Sequence, residues 1–131
     1  MFNRKAKNTI DSLIGIATTI EGNVLFKGGL RIDGHVKGNV VGEAVDGTSM
    51  LVISAQARIE GEVRAAHLVV NGEIVGSVYS SELLELQPKA RITGDVHYKA
   101  LEMHGGALVT GKLTHAATDE PILKLATASN A

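Results

Sequence analysis

The sequence predicts an all-β fold, a β-solenoid of about six coils with 16–17 residues in each coil. Three observations predict it: apolar residues alternate with polar ones, the alternation is repeated along the chain, and each repeat ends near a glycine. Alternation with a period of two is typical of a strand with one buried face. Repetition of such strands at a fixed period indicates stacked coils, because a single coil cannot bury its own apolar face.

Residues 51–63 show the alternation most clearly, with apolar or small residues at every second position. A single strand of this length would be long compared with the usual five or six residues. We therefore interpret the stretch as most of one coil, with a bend near residues 55–57. In this interpretation Ile53, Ile59 and Val63 face the core.

The repeats follow one another in register along the chain. Each opens with two apolar residues two positions apart and ends at a glycine that an apolar residue follows two positions later. Copies begin at Leu30, Leu51, Leu68, Leu84 and Leu101, after a weaker first copy that contains Ile14. The last three steps are 17, 16 and 17 residues, whereas the first is 21 because residues 42–49 are inserted as a surface loop. Short strands joined by bends at glycine would form a polymerisation domain over residues 13–114.

Composition and charge limit the classes of function. The chain has 131 residues, a net charge of −1, no cysteine and only 3% aromatic residues. Its length predicts one domain, and its core is built from Val, Ile, Leu and Ala. The balance of charge gives no basic face for nucleic acid, and the lack of cysteine is compatible with a reducing cytoplasm. No apolar run is long enough for a membrane-spanning helix, so we expect a cytoplasmic protein.

Catalytic, cofactor-binding and metal-binding residues are not predicted anywhere in the sequence. His35 and His104 occupy outward positions, and the expected neighbours one coil away, Gln56 and Gln87, supply no second ligand for a metal or partner for acid–base work. A hexapeptide-repeat enzyme, such as a left-handed β-helix acyltransferase or a γ-class carbonic anhydrase, is the least favoured alternative. Those folds have three six-residue repeats per coil, which fits a spacing of 16–17 residues poorly.

The two ends of the predicted solenoid carry no recognisable cap. An uncapped terminal coil exposes unpaired backbone groups and an apolar cross-section, so we predict end-to-end self-assembly through both terminal coils. Two alternatives stay open: a tail folds over one end, or the solenoid is an adaptor that does not polymerise. The residues predicted to form the interface are Ile14, Ile16, Ile20 and Val24 at one end and Leu101, Met103, Val109 and Leu113 at the other.

The N-terminal tail, residues 1–12, is basic and partly apolar, and we predict that it targets a membrane. Met1 and Phe2 would insert at the lipid interface, while basic side chains meet anionic headgroups at about 1 kcal/mol each. A filament would present many tails, so weak single contacts would add up to firm attachment. The basic residues are Arg4, Lys5 and Lys7.

The C-terminal tail, residues 115–131, carries no repeat and is expected to be disordered. It contains one apolar group, Ile122, Leu123 and Leu125, that is able to pack briefly on the rod. The sequence does not decide whether this tail caps the solenoid.

Three features together resemble the bactofilins, bacterial polymer-forming cytoskeletal proteins. They are the repeated Ile/Val-x-Gly-x-Val pattern, the segment Phe-Lys-Gly-Gly-Leu-Arg-Ile-Asp-Gly at residues 26–34, and the Met-Phe start followed by basic residues. The resemblance covers about residues 1–113. It implies a right-handed, roughly triangular β-helix that assembles through its terminal coils, without nucleotide, into non-polar filaments.

The resemblance also implies a location and partners. The filaments would lie at the inner face of the cytoplasmic membrane, attached through the N-terminal tail to lipid. They would scaffold cell-wall synthesis or hydrolysis enzymes and so influence cell shape. The family pattern implies a phenylalanine in the closing coil, but this chain has none after Phe26, and we expect Leu113 or Met103 to take its place.

Overall fold

The computed structural model describes residues 10–43 and 48–116, and these residues form fifteen short strands without a helix. The strands are β1 (Ser12–Ile14), β2 (Thr19–Glu21), β3 (Val24–Phe26), β4 (Gly29–Ile32), β5 (His35–Lys37), β6 (Val40–Gly42), β7 (Met50–Ile53), β8 (Arg58–Glu60), β9 (Val63–Val70), β10 (Glu73–Val75), β11 (Val78–Leu86), β12 (Arg91–Thr93), β13 (Val96–Met103), β14 (Leu108–Thr110) and β15 (Leu113–His115). Among these residues no helix is long and apolar enough to cross a membrane.

Every strand pairing between these elements is parallel and joins one coil to the next. Each coil has three strand segments, and the long strands β9, β11 and β13 each turn a corner and serve two coils. The first residues of the sequence repeats lie side by side in this register: Leu30, Leu51, Leu68, Leu84 and Leu101. The predicted solenoid of about six coils is therefore confirmed.

The core consists of inward-facing side chains stacked in columns along the rod. One column follows β2, β5, β8, β10, β12 and β14, and its members are Ile20, Val36, Ile59, Ile74, Ile92 and Val109. Its four inner members are at most 1% exposed, whereas its two end members are half-buried. The interpretation of residues 51–63 as one bent coil is also confirmed, because β7 and β8 are separate strands with Ala55 exposed between them.

A column of glycines explains why each repeat ends as it does. A Cβ atom built on Gly38, Gly61, Gly76, Gly94 or Gly111 would lie only 2.1–2.3 Å from the carbonyl oxygen of the preceding glycine in the column. No side chain fits there, because the backbones of successive coils approach too closely. The column begins at Gly22, where a Cβ atom would meet nothing within 4 Å.

The structure differs from the sequence-based expectation at the corners of two long strands and in the inserted segment 42–49. The strands β9 and β11 turn their corners at residues 65–66 and 80–82 without glycine, where the pairing register shifts between Ser80 and Leu83. The inserted segment 42–49 is not wholly a surface loop, because Gly42 ends β6 and is buried and Ser49 is 0% exposed. Residues 44–47 lie outside the described part of the chain.

Ser49 is buried because its hydroxyl group accepts a hydrogen bond from the backbone at a corner of β9. The shift in register leaves the backbone of Ala66 without a strand partner at the corner. The Ala66 amide donates to the Ser49 hydroxyl at 2.9 Å, and the Ser80 hydroxyl donates to the Ala66 carbonyl oxygen at 3.1 Å. Both polar groups of this buried residue are thereby satisfied, as buried backbone groups must be.

Candidate assembly surfaces at the ends of the rod

The N-terminal end of the rod is formed by β1, β2 and β3, which pair with β4, β5 and β6 respectively and, within residues 10–43 and 48–116, with nothing on their other edge. Ile14, Ile20 and Val24 of this coil face inward, pack on the core from one side and remain only partly buried. Phe26, at the end of β3, also faces inward but is only 9% exposed and belongs to the core. Ile16 lies at a bend and is 62% exposed.

The C-terminal end is formed by the second half of β13 with β14 and β15. Leu101 and Val109 pack on the core and are half-buried, while Met103 is 46% and Leu113 is 43% exposed. Their register partners one coil below are Leu84, Ile92, Leu86 and Val96, which are 0–1% exposed. Equivalent positions of the repeat are thus buried inside the rod and partly exposed at its end. The structure therefore places seven of the eight predicted interface residues in inward columns at the two ends, with Ile16 beside them.

Further apolar side chains are exposed on the sides of the terminal coils. Leu13, Leu25 and Leu108 are 61%, 67% and 57% exposed, and none was among the predicted interface residues. Leu13 and Leu108 are in register with Arg31 and Arg91, whose charged side chains are exposed. The signal for them in the sequence is an apolar residue at an outward position of the alternation, whereas the interface prediction used inward positions.

The surface histidines have acidic neighbours that the sequence analysis did not find. His35 is in register with Arg58, not beside Gln56, and its Nε2 atom lies 2.6 Å from Oε2 of Glu60. This hydrogen bond, together with the Arg58 guanidinium at 3.2 Å, lowers the pKa of Glu60. Arg58 also contacts Glu73 at 2.7 Å, so ion pairs link successive coils along this face of the rod.

His104 likewise has carboxylates beside it. Its Nε2 atom lies 3.4 Å from Oε2 of Glu85, and ligand atoms of His104, Glu85 and Glu102 all lie within 4.8 Å of one another. The expectation that no second ligand is near this histidine is therefore wrong. The cluster is largely exposed, and its geometry alone assigns it no metal.

The predicted membrane-binding residues Met1, Phe2, Arg4, Lys5 and Lys7 lie outside the described residues, as do Ile122, Leu123 and Leu125 of the C-terminal tail. The first described strand, β1, begins at Ser12 at the N-terminal end of the rod. A tail that precedes it therefore starts from this end.

Within the described residues, the chain is a parallel β-solenoid whose terminal coils carry partly exposed apolar side chains, an architecture that favours self-association. Residues 12–114 match the family model of the bactofilins, described as polymer-forming cytoskeletal. The chain belongs to the bactofilin family.

Individual relatives agree with this assignment. Bactofilin BacO of Myxococcus xanthus is 22% identical over 112 residues, which are 86% of this chain and 85% of that protein. A bactofilin of Thermus thermophilus, reconstructed as double helical filaments, has a TM-score of 0.72 and 31% identity over 80% of this chain and 99% of that one. A crystal structure of a phenylalanine-to-arginine variant of the bactofilin from the same organism has a TM-score of 0.65 and 33% identity, covering 73% of this chain and all of the other.

Proposed function

We propose that this chain is a structural protein that polymerises end to end through its two terminal coils. The observation that carries the proposal is the contrast along the core columns that end in the predicted interface residues: their inner members are buried, and their end members are partly exposed. Ile92 is 1% exposed and Leu86 0%, whereas Met103, directly above Leu86, is 46% exposed. A second rod placed on this end would extend the columns and cover those side chains.

The energy available at one joint is moderate. Full burial of a leucine or methionine side chain stabilises by about 1.5–3 kcal/mol, so covering the open halves of Met103 and Leu113 contributes about 1 kcal/mol each. The half-buried Leu101 and Val109 add smaller amounts, and the free strand edges add backbone hydrogen bonds. Association itself costs at least about 4 kcal/mol. We therefore expect assembly above a threshold concentration of protein.

One further observation supports the filament, and another supports its assembly without nucleotide. The Thermus thermophilus relative, at 31% identity, forms double helical filaments. In residues 10–43 and 48–116 no glycine-rich loop precedes a helix N-terminus, the arrangement that commonly binds nucleotide phosphates. We propose that assembly rests instead on apolar and backbone contacts of the terminal coils.

The substitution Met103→Arg tests the role of the C-terminal end. A charge on this open column should prevent a second rod from covering it, because the charge would lose its hydration inside an apolar joint. Negative-stain electron microscopy should show filaments of the unchanged protein and only short particles of the variant. Thr93→Arg, on the exposed side of an inner coil, is the matched control and should still form filaments.

Circular dichroism of Met103→Arg should keep the β signal, because the side chain already reaches solvent. Filaments of normal length from this variant, or a single-sized short particle from the unchanged protein at all concentrations, would contradict the proposal.

We further propose that the filaments attach to the inner face of the cytoplasmic membrane through residues 1–12 and scaffold cell-wall synthesis or hydrolysis enzymes there. Each tail carries three basic residues close to Met1 and Phe2. Basic residues near an anionic surface contribute about 1 kcal/mol each, and repetition along a filament multiplies weak attachment. Two tails would leave the same joint wherever N-terminal ends meet.

Deletion of residues 2–8 tests the attachment. Without them the protein should still form filaments but should no longer sediment with liposomes that contain phosphatidylglycerol. Liposomes of phosphatidylcholine alone serve as the control, because they lack the anionic headgroups. Equal sedimentation of the deleted and full-length proteins would remove the tail from the proposal.

A further inference from the structure

A groove runs along one corner of the rod, on the side of the coils. Its volume is ≈ 430 Å³, and its wall includes Val41, Arg64, Tyr79 and His97. These residues are in one outward column, on successive coils, and the next residue of that column toward the N-terminal end is Leu25. Small residues form the floor, namely Gly42, Ala65 and Ser80.

The wall of the groove is held in place by stacking. The Arg64 guanidinium lies 3.9 Å from the centroid of the Tyr79 ring, and the Tyr79 and His97 rings are parallel within 3° with centroids 4.5 Å apart. Such contacts stabilise side chains on an exposed surface. The groove is therefore formed before anything enters it.

The column that forms the wall changes character along its length. It is apolar at its N-terminal end, where Leu25 is 67% exposed beside Val41, and it becomes cationic and aromatic at Arg64 and Tyr79. The Arg64 guanidinium already contacts the Glu62 carboxylate. An occupant that fits this wall therefore needs an apolar part at one end and, in the middle, acceptor groups that share the Arg64 guanidinium with Glu62.

We propose that the C-terminal segment of this chain, residues 117–125, occupies the groove. Ala116, the last described residue, lines it, and the Ala116 amide donates to the Tyr98 carbonyl oxygen at 2.6 Å. The chain therefore reaches the mouth of the groove while still paired with the coil below. Fifteen residues follow in the sequence, from residue 117 to residue 131.

The spacing of the segment matches the spacing of the wall. An extended chain advances about 3.3 Å per residue, and successive coils lie about 4.8 Å apart. Running back from Ala116, the chain would bring Glu120 to the level of Arg64 after about 13 Å, three coils down at about 14 Å. Ile122 would reach Val41 at about 20 Å, where four coils amount to about 19 Å.

The chemistry matches as well as the spacing. Asp119 and Glu120 would lie beside the Arg64 side of the wall. Ile122 would lie against Val41, and Leu123 would lie against Leu25, five coils and about 24 Å from Ala116. The exposed Leu25 would then be covered. If residues 117–125 bind in the groove, they are ordered, whereas the sequence analysis assigns them to a disordered tail. Binding in the groove does not depend on polymerisation.

Cysteine cross-linking in the full-length chain tests the inference, since the protein contains no cysteine of its own. The first variant combines Lys27→Cys, close to Leu25, with Lys124→Cys in the tail. The control combines Thr19→Cys with Lys124→Cys, because Thr19 is exposed in the same coil but on another face. A short bifunctional maleimide is added, and the products are separated by size in denaturing gels.

We expect the Lys27 pair to cross-link within one chain about tenfold faster than the control pair, which corresponds to a preference of about 1.4 kcal/mol. Adding Leu25→Asp to the Lys27 pair should reduce its rate to that of the control, and circular dichroism should remain unchanged because Leu25 is exposed. Equal rates for the two pairs would overturn the inference. A dimer-sized product from the Lys27 pair would also overturn it, because the groove would then receive the tail of a second copy.

Discussion

At the scale of single residues, the glycine column determines how closely the coils stack. The sequence predicts a glycine in each repeat, and the structure confirms its place. The reason lies in a contact that sequence alone does not display, since a Cβ atom on Gly61 would lie 2.2 Å from the carbonyl oxygen of Gly38. That oxygen belongs to a residue 23 positions earlier in the chain.

Two alanine substitutions in this column should have different effects. Gly61→Ala should lower the free energy of unfolding by roughly 3 kcal/mol or more, because the backbones of two coils must separate. Gly22→Ala should cost roughly 1 kcal/mol, because its φ of 136° is unfavourable for alanine but its Cβ meets nothing within 4 Å. Urea unfolding followed by circular dichroism, with Met103→Arg and Ile20→Arg both present in every sample to block assembly at the two ends, measures both. Similar losses of stability for the two variants would show that the close approach of the coils is not the main cause of the loss.

At the scale of elements, the corners of the long strands were the least predictable part of the fold. The alternation in the sequence shows which residues face inward along a straight strand, and those inward positions are confirmed. It does not show that β9 turns at residues 65–66, because the alanines there are compatible with strand and bend alike. The need for Ser49 as a hydrogen-bond partner arises only from that turn, so the sequence analysis assigned Ser49 to a surface loop.

Ser49→Ala should lower the free energy of unfolding by about 1–3 kcal/mol, the usual cost of leaving a buried backbone donor unsatisfied. The Ala66 amide is that donor, and Ser49 is 0% exposed, so water is not available to replace the hydroxyl. Thr93→Ala, which removes an exposed hydroxyl from an inner coil, is a suitable comparison in the same urea titration. A change below about 0.5 kcal/mol for Ser49→Ala, within the range of ordinary surface substitutions, would contradict this account of the corner.

At the scale of the whole molecule, the sequence was sufficient to predict the columns of the core, whereas the absence of a cap at either end stays a prediction. Apolar residues that recur in constant register stack into columns along the rod. A column that no cap covers would leave its last side chain partly exposed. The groove at the corner was not predictable in this way. It arises because Gly42, Ala65 and Ser80 lie on successive coils, whereas the same inward column has Phe26 near one end and Tyr98 near the other.

Variants blocked at one end should reveal the polarity of the proposed filaments. If like ends meet, Met103→Arg should leave dimers joined through their N-terminal coils, and Ile20→Arg should leave dimers joined through their C-terminal coils. If unlike ends meet, either variant alone should be monomeric, and mixing the two should produce dimers. Sedimentation velocity of each variant and of the mixture distinguishes these cases, and we expect dimers from each variant alone.

The direction of the backbone hydrogen bonds has a mechanical consequence. Strands in this rod lie across its axis and pair from coil to coil, so tension along a filament acts directly on the bonds between layers. Inside one subunit each layer is also joined to the next by the covalent chain, whereas a joint between subunits has no such link. A stretched filament should therefore break at its joints and release intact rods, which are able to reassemble without refolding.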